Sequence, residues 1–156
     1  MAISLSSPLS LYSIPVVWFI AFVNAPLRTA YIGKIAGRFN KPCSVDPRGN
    51  AQRLLAKHPE AGARAARMEA ANANGNEVMP LWVAAVLAGN YAGLDEKTLN
   101  VASVAFIVLR AVYNYIYVNQ NTQAHGNLRT LTWFAGIGVP LTLLIKAANK
   151  VLERSS

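Results

Sequence analysis

Arg64-Ala65-Ala66-Arg67-Met68-Glu69-Ala70-Ala71-Asn72-Ala73-Asn74-Gly75-Asn76-Glu77-Val78-Met79-Pro80-Leu81-Trp82 opens as a basic, alanine-rich helix. It runs on into Val83-Ala84-Ala85-Val86-Leu87-Ala88, apolar enough to enter a bilayer. Asn74 and Glu77 fall where the two characters meet. A carboxamide and a carboxylate at the lip of a hydrocarbon slab are costly unless something pairs with them. A ligand or a neighbouring helix is therefore expected there, and the rest of the chain reads as supplying both.

The 156 residues fit one domain. Hydrophobic residues make up 53% and charged residues 14%, the latter well below the ~25% of a soluble domain. A net charge of +8 would suit nucleic acid, but nine of the 15 Lys and Arg lie between Arg28 and Arg67. Clustered charge beside long, nearly uncharged apolar runs favours a membrane protein with one basic face and argues against a nucleic-acid partner. The lone Cys43 excludes an intrachain disulfide and a cysteine-based zinc cluster, and no metal is expected. No cation precedes Arg28, so the first apolar run lacks the basic start of a cleaved signal peptide and reads as a retained span.

Outward from the opening stretch, the hydropathy pattern predicts an all-α integral membrane protein, a bundle of four transmembrane helices in lipid. About 20 residues at ~1.5 Å each cross a ~30 Å core. The expected spans are 9–27, 76–92, 99–118 and 128–148. Residues 28–63, with seven cations mixed among Gly33, Gly37, Pro42, Pro47, Gly49, Pro59 and Gly62, are expected to form a solvated basic loop on the cytosolic side. The second helix is expected from about Ala63 to Ala92, with a kink or a polar partner at Pro80. Asp95 has the position of an N-cap for the third helix. Gly136, Gly138 and Pro140 interrupt the fourth span, and small residues there permit close helix approach.

Candidate chemistry lies along helix stripes. Arg67, Asn74 and Glu77 lie at i, i+7 and i+10 of the second helix; Arg110, Tyr113 and Tyr117 lie at i, i+3 and i+7 of the third. Arg129 and Trp133 are one turn apart at the start of the fourth. These groups fall at one end of an otherwise uncharged bundle. Each also has a plainer reading: a snorkelling arginine, an interfacial tyrosine belt with Tyr115, an anchoring tryptophan, a structural Glu–Arg pair. His58 and His125 read as solvated loop residues.

Asn74-Gly75-Asn76-Glu77-Val78-Met79-Pro80-Leu81, preceded by Arg67 and Glu69-Ala70-Ala71, resembles the second-helix signature of the MAPEG family (membrane-associated proteins in eicosanoid and glutathione metabolism). Arg110-x-x-Tyr113-x-x-x-Tyr117, followed by Leu128-Arg129-Thr130-Leu131-x-Trp133, resembles the third and fourth helices of the same family. The likeness runs from about residue 44 to 150, and Val86 to Asp95 looks most like a fungal branch.

This resemblance implies a homotrimer with sites between subunits, in the endoplasmic reticulum membrane, using glutathione as co-substrate. It implies that Asn74 and Glu77 bind the polar groups of glutathione, with Arg67, Arg110, Tyr113 and Tyr117 around them. Arg129 matches the arginine that stabilises the thiolate. Two departures stand out. Ala70 replaces an arginine that many members carry, leaving Arg67 as its substitute, and the connection between Tyr117 and Arg129 is longer than the usual short form.

Three functions follow as expectations. The first is a glutathione transferase or peroxidase acting on lipophilic electrophiles that arrive through the bilayer. The second is a glutathione-independent isomerase or cyclase of a hydrophobic metabolite in the same site, motivated by Ala70. The third is a non-catalytic trimeric scaffold.

Overall fold

The computed structural model describes residues 7–36 and 45–155; Cys43, Arg38 and Lys41 lie outside them. Its regular structure is all helical. A 3-10 turn, Ser10–Tyr12, leads into α1 (Ser13–Phe22) and α2 (Asn24–Ala36); then follow α3 (Asn50–Lys57), α4 (Pro59–Ala92), α5 (Glu96–Asn119) and α6 (Gln123–Ser155). Among the described residues three stretches are long and apolar enough to cross a membrane: Ser10–Ala36, Glu96–Asn119 and Gln123–Ser155. The second expected span, 76–92, lies within α4, which is not among the three. Its apolar side is turned inward instead, with Trp82, Ala85 and Val86 completely buried.

α4 forms the spine, touching α1, α2, α3, α5 and α6. Trp82 stacks on Phe106 of α5 at 4.2 Å and donates its indole N–H to the Ser13 hydroxyl of α1 at 3.2 Å. Around this pair Val17, Val78, Val86, Leu99 and Leu143 close one core, shared by α1, α4, α5 and α6. Gly75 is where α1 comes closest: a Cβ there would stand 2.5 Å from that of Ala21.

α4 continues through Pro80 as one element, with the exposed Pro80 on its outer side. It ends at Gly93, whose φ of 66° is open to glycine at no steric cost. Two residues on, Asp95 accepts the Thr98 amide at 2.8 Å and starts α5 as its N-cap, as its spacing predicts.

The expected loop over 28–63 is a correction. Its described residues include most of α2, all of α3 and the start of α4. Pro26 falls in the first turn of α2, where its missing N–H costs little. Burial then holds the helices: Ile32, Ala51, Leu54 and Ala65 pack together, half covered by Tyr31 and Ala61. Glycines, prolines and cations read as a loop because they contribute little periodicity, yet tertiary packing supplies the missing stabilisation. The connection before Arg129 is also shorter than expected, since α6 begins at Gln123 and leaves only Gln120, Asn121 and Thr122 between helices. The polar, basic residues beyond 148 continue α6 to Ser155.

α1 and α2 are separated by a break at Val23. In an unbroken helix the carbonyls of Ile20 and Ala21 would receive the amides of Asn24 and Ala25. Here the Asn114 side chain of α5 donates to Ile20 O at 2.8 Å, and the Asn72 side chain of α4 donates to Ala21 O at 2.9 Å. Buried backbone acceptors at a helix break need such partners, above all away from water.

Candidate functional site

The predicted site residues come mainly from three helices: α4, α5 and α6. Arg110, spaced three and seven residues from Tyr113 and Tyr117, lies on the inner face of α5 and is 4% exposed. One of its terminal nitrogens donates to the Asn74 carboxamide oxygen of α4 at 2.9 Å. Its guanidinium carbon sits 4.6 Å from the centre of the Tyr113 ring. Tyr113 is buried and meets Tyr117 edge-on at 5.5 Å. The Tyr117 ring is in turn faced by Arg129 of α6, 4.9 Å from its centroid. Arg129 also donates to the Gln120 carboxamide oxygen at 3.1 Å.

The result is a continuous row, Asn74–Arg110–Tyr113–Tyr117–Arg129–Gln120, with two guanidiniums set on the faces of two tyrosines. Among the described residues neither arginine has an ion pair; the salt bridges there are Arg28–Glu69, Arg53–Asp46 and Lys150–Glu153. Aromatic faces and carboxamides hold a cation without cancelling it, so the row carries positive charge from the buried Arg110 to the half-exposed Arg129 at the end of the bundle. Such a row can stabilise an anion that reaches it.

The other two predicted residues stand differently. Arg67 donates through Nε to the Val118 carbonyl at 3.2 Å, which ties it to the C-terminal end of α5 rather than to Asn74. Glu77 is exposed, and among the described residues no hydrogen bond or ion pair holds its carboxylate, although it lies within electrostatic reach of Tyr113. The anticipated Glu–Arg pair forms elsewhere, between Glu69 and Arg28 at 2.7 Å. Gln120 belongs to the row and was not anticipated, since a single carboxamide in a polar connection carries no periodic signal.

Trp133 meets Phe134 edge-on at 5.0 Å, outside the row. Tyr115 points outward, 73% exposed. His58 precedes the first turn of α4, exposed, and His125 lies 3.0 Å from the Asn121 carboxamide oxygen. Among the described residues no three His, Cys, Asp or Glu side chains come together as a metal site would require.

Comparison with curated proteins and with solved structures returns no match. A model of the MAPEG family, however, matches residues 10–149, from the first turn of the bundle almost to the end of its last helix. With a match over that length, enclosing every member of the arginine–tyrosine row, the chain belongs to the MAPEG family.

Proposed function

We propose that this integral membrane protein is a glutathione transferase or peroxidase acting on lipophilic electrophiles, with Arg129 stabilising the glutathione thiolate. The observation that carries the reading is the pair of unpaired guanidiniums, Arg110 and Arg129, set on Tyr113 and Tyr117. A free thiol with a pKa of ~8.5 must fall by roughly 1.5 units to be half ionised at neutral pH, about 2 kcal/mol. One charge ~4 Å away at an effective dielectric of ~20 supplies about 4 kcal/mol, so a single guanidinium is sufficient.

On this reading α4 completes a four-span bundle. Its exposed Glu77 needs a neighbour at membrane depth, which a homotrimer with sites between subunits provides, and Glu77 then takes the glutathione amino group. Asn74, Arg110, Tyr113 and Tyr117 form the inner wall, and the electrophile enters from lipid. Residence in the endoplasmic reticulum membrane belongs to the same proposal.

The test is an ultraviolet difference spectrum of the purified protein titrated with glutathione. A saturable thiolate band near neutral pH is expected, lost in Arg129→Ala and partly restored in Arg129→Lys. Glu77→Ala is expected to weaken glutathione binding about tenfold, the scale of one charged contact. Full thiol-dependent turnover in both alanine variants would sink the assignment.

A second reading rests on Ala70 and Arg67. The arginine that would stand in for position 70 is held by the end of α5, which favours a thiol-independent isomerisation or cyclisation in the same row. Absence of the thiolate band at millimolar glutathione, with turnover of a lipophilic substrate retained, selects it. Absence of both selects a scaffold.

A further inference from the structure

At the end of the bundle where α5 terminates, a cavity of about 640 Å³ lies beside the tyrosine row, bordered by Tyr31, Lys57, His58, Glu60, Arg64 and Arg67. Its walls come from α2, the end of α3 and the first two turns of α4. Lys57, Arg64 and Arg67 share the cavity with one carboxylate, that of Glu60, and with His58 and Tyr31 as the remaining titratable groups. Arg64 and Arg67 are three residues apart and project on one side of α4.

Both guanidiniums are already oriented. Arg64 donates one nitrogen to Asn119 at 3.2 Å and lies over the Tyr31 ring, 5.3 Å from its centre. Arg67 is fixed through Nε to Val118 O. Each leaves further N–H donors of its planar fork for a second acceptor. Arginine pairs of this kind match the tetrahedral oxygens of a phosphate, which accepts several such bonds at once.

The depth of the cavity is set by the same contacts. Asn119 and Val118 end α5, a 24-residue stretch apolar enough to cross a membrane. At ~1.5 Å per residue it is about 36 Å long, slightly more than the ~30 Å hydrocarbon core. Arg64 and Arg67 therefore stand at the level of the lipid phosphates, with Tyr31 as an interfacial aromatic. We propose that this cavity is a phosphate-recognition site whose ligand is the headgroup of an anionic phospholipid. The proposal does not depend on glutathione chemistry.

The experiment uses the full chain in detergent and native mass spectrometry, with a phosphatidylinositol monophosphate and phosphatidylcholine as probes. Preferential retention of the phosphoinositide is expected. Lys57→Gln and the double variant Lys57→Gln/Arg64→Gln should lose about fivefold in retention for each cation removed. Lys57 is exposed, so its single variant reads charge without disturbing the α4–α5 contact that Arg64 supplies. Inorganic phosphate that competes in the absence of any lipid preference would keep the phosphate site and assign it to a soluble ligand. Equal retention of both lipids with no effect of inorganic phosphate, or unchanged retention in both variants, overturns the proposal.

Discussion

Arg110 carries its charge into the bundle with a carboxamide and a ring to receive it. Asn74 accepts from it at 2.9 Å while Tyr113 offers its face. Asn74→Leu should therefore leave a buried guanidinium donor without an acceptor, destabilising the fold by about 1–3 kcal/mol. Replacing both partners, Arg110→Leu with Asn74→Leu, should cost less than the sum of the single changes. Unfolding by denaturing detergent across this double-mutant cycle measures both. The stripes Arg110–Tyr113–Tyr117 and Arg67–Asn74 were legible as spacing. Which member of the α4 stripe meets Arg110 was not. At ~100° per residue Glu77 stands about 60° round the axis from Asn74. That angle separates a residue facing α5 from one facing out, and helix rotation is decided by packing that the sequence does not display.

The helices began and ended where local chemistry was strong. Asp95, with the Thr98 amide within its reach, was readable as a cap because the pairing is local. The Thr98 side chain, and after it this amide, hold the Asp95 carboxyl below its ordinary value of 3.8. A lowered folded value means that the unfolded chain binds the proton more readily. The stabilising effect is thus fully present above the ordinary carboxylate range and lost as pH falls through the lowered folded value. Asp95→Asn, which keeps the acceptor and removes the charge, should flatten stability between about pH 5 and pH 3, the window around a carboxylate of ordinary pKa ~3.9. Thermal unfolding followed by circular dichroism at several pH values measures this. α2 and α3 were missed for the opposite reason. Their support is the distant cluster of Ile32, Leu54 and Ala65, and the only local sign is the helical spacing of Ala51, Leu54 and Leu55 in the short α3.

At the scale of the molecule, the apolar runs and the family likeness made a helical membrane bundle legible, whereas the inward turn of α4 was not. The polar half of that helix could be recognised, but its packing against five other helices depends on where small residues permit contact. Gly75 against Ala21 is such a point on the α1 side, as Gly62 against Leu55 is on the α3 side. Gly75→Ala should cost about 1–3 kcal/mol by overpacking. Ala21→Gly in the same chain should recover only part of that loss, because it removes the other methyl but leaves the backbone Cα 2.9 Å from the added Cβ. Melting temperatures of the four proteins in one detergent decide whether the contact limits the approach of the two helices.

The break at Val23 has a consequence for the order of assembly. α1 emerges early in synthesis, but its interruption needs two donors that come much later. Asn72 follows Ala21 by 51 positions, and Asn114 follows Ile20 by 94. In hydrocarbon an unanswered carbonyl costs several kcal/mol, so the first helix has reason to remain near water or straighten temporarily until its partners are made. α1, made before α4 and α5, is consequently not the first element to reach its final shape, and α5 is the element that completes it.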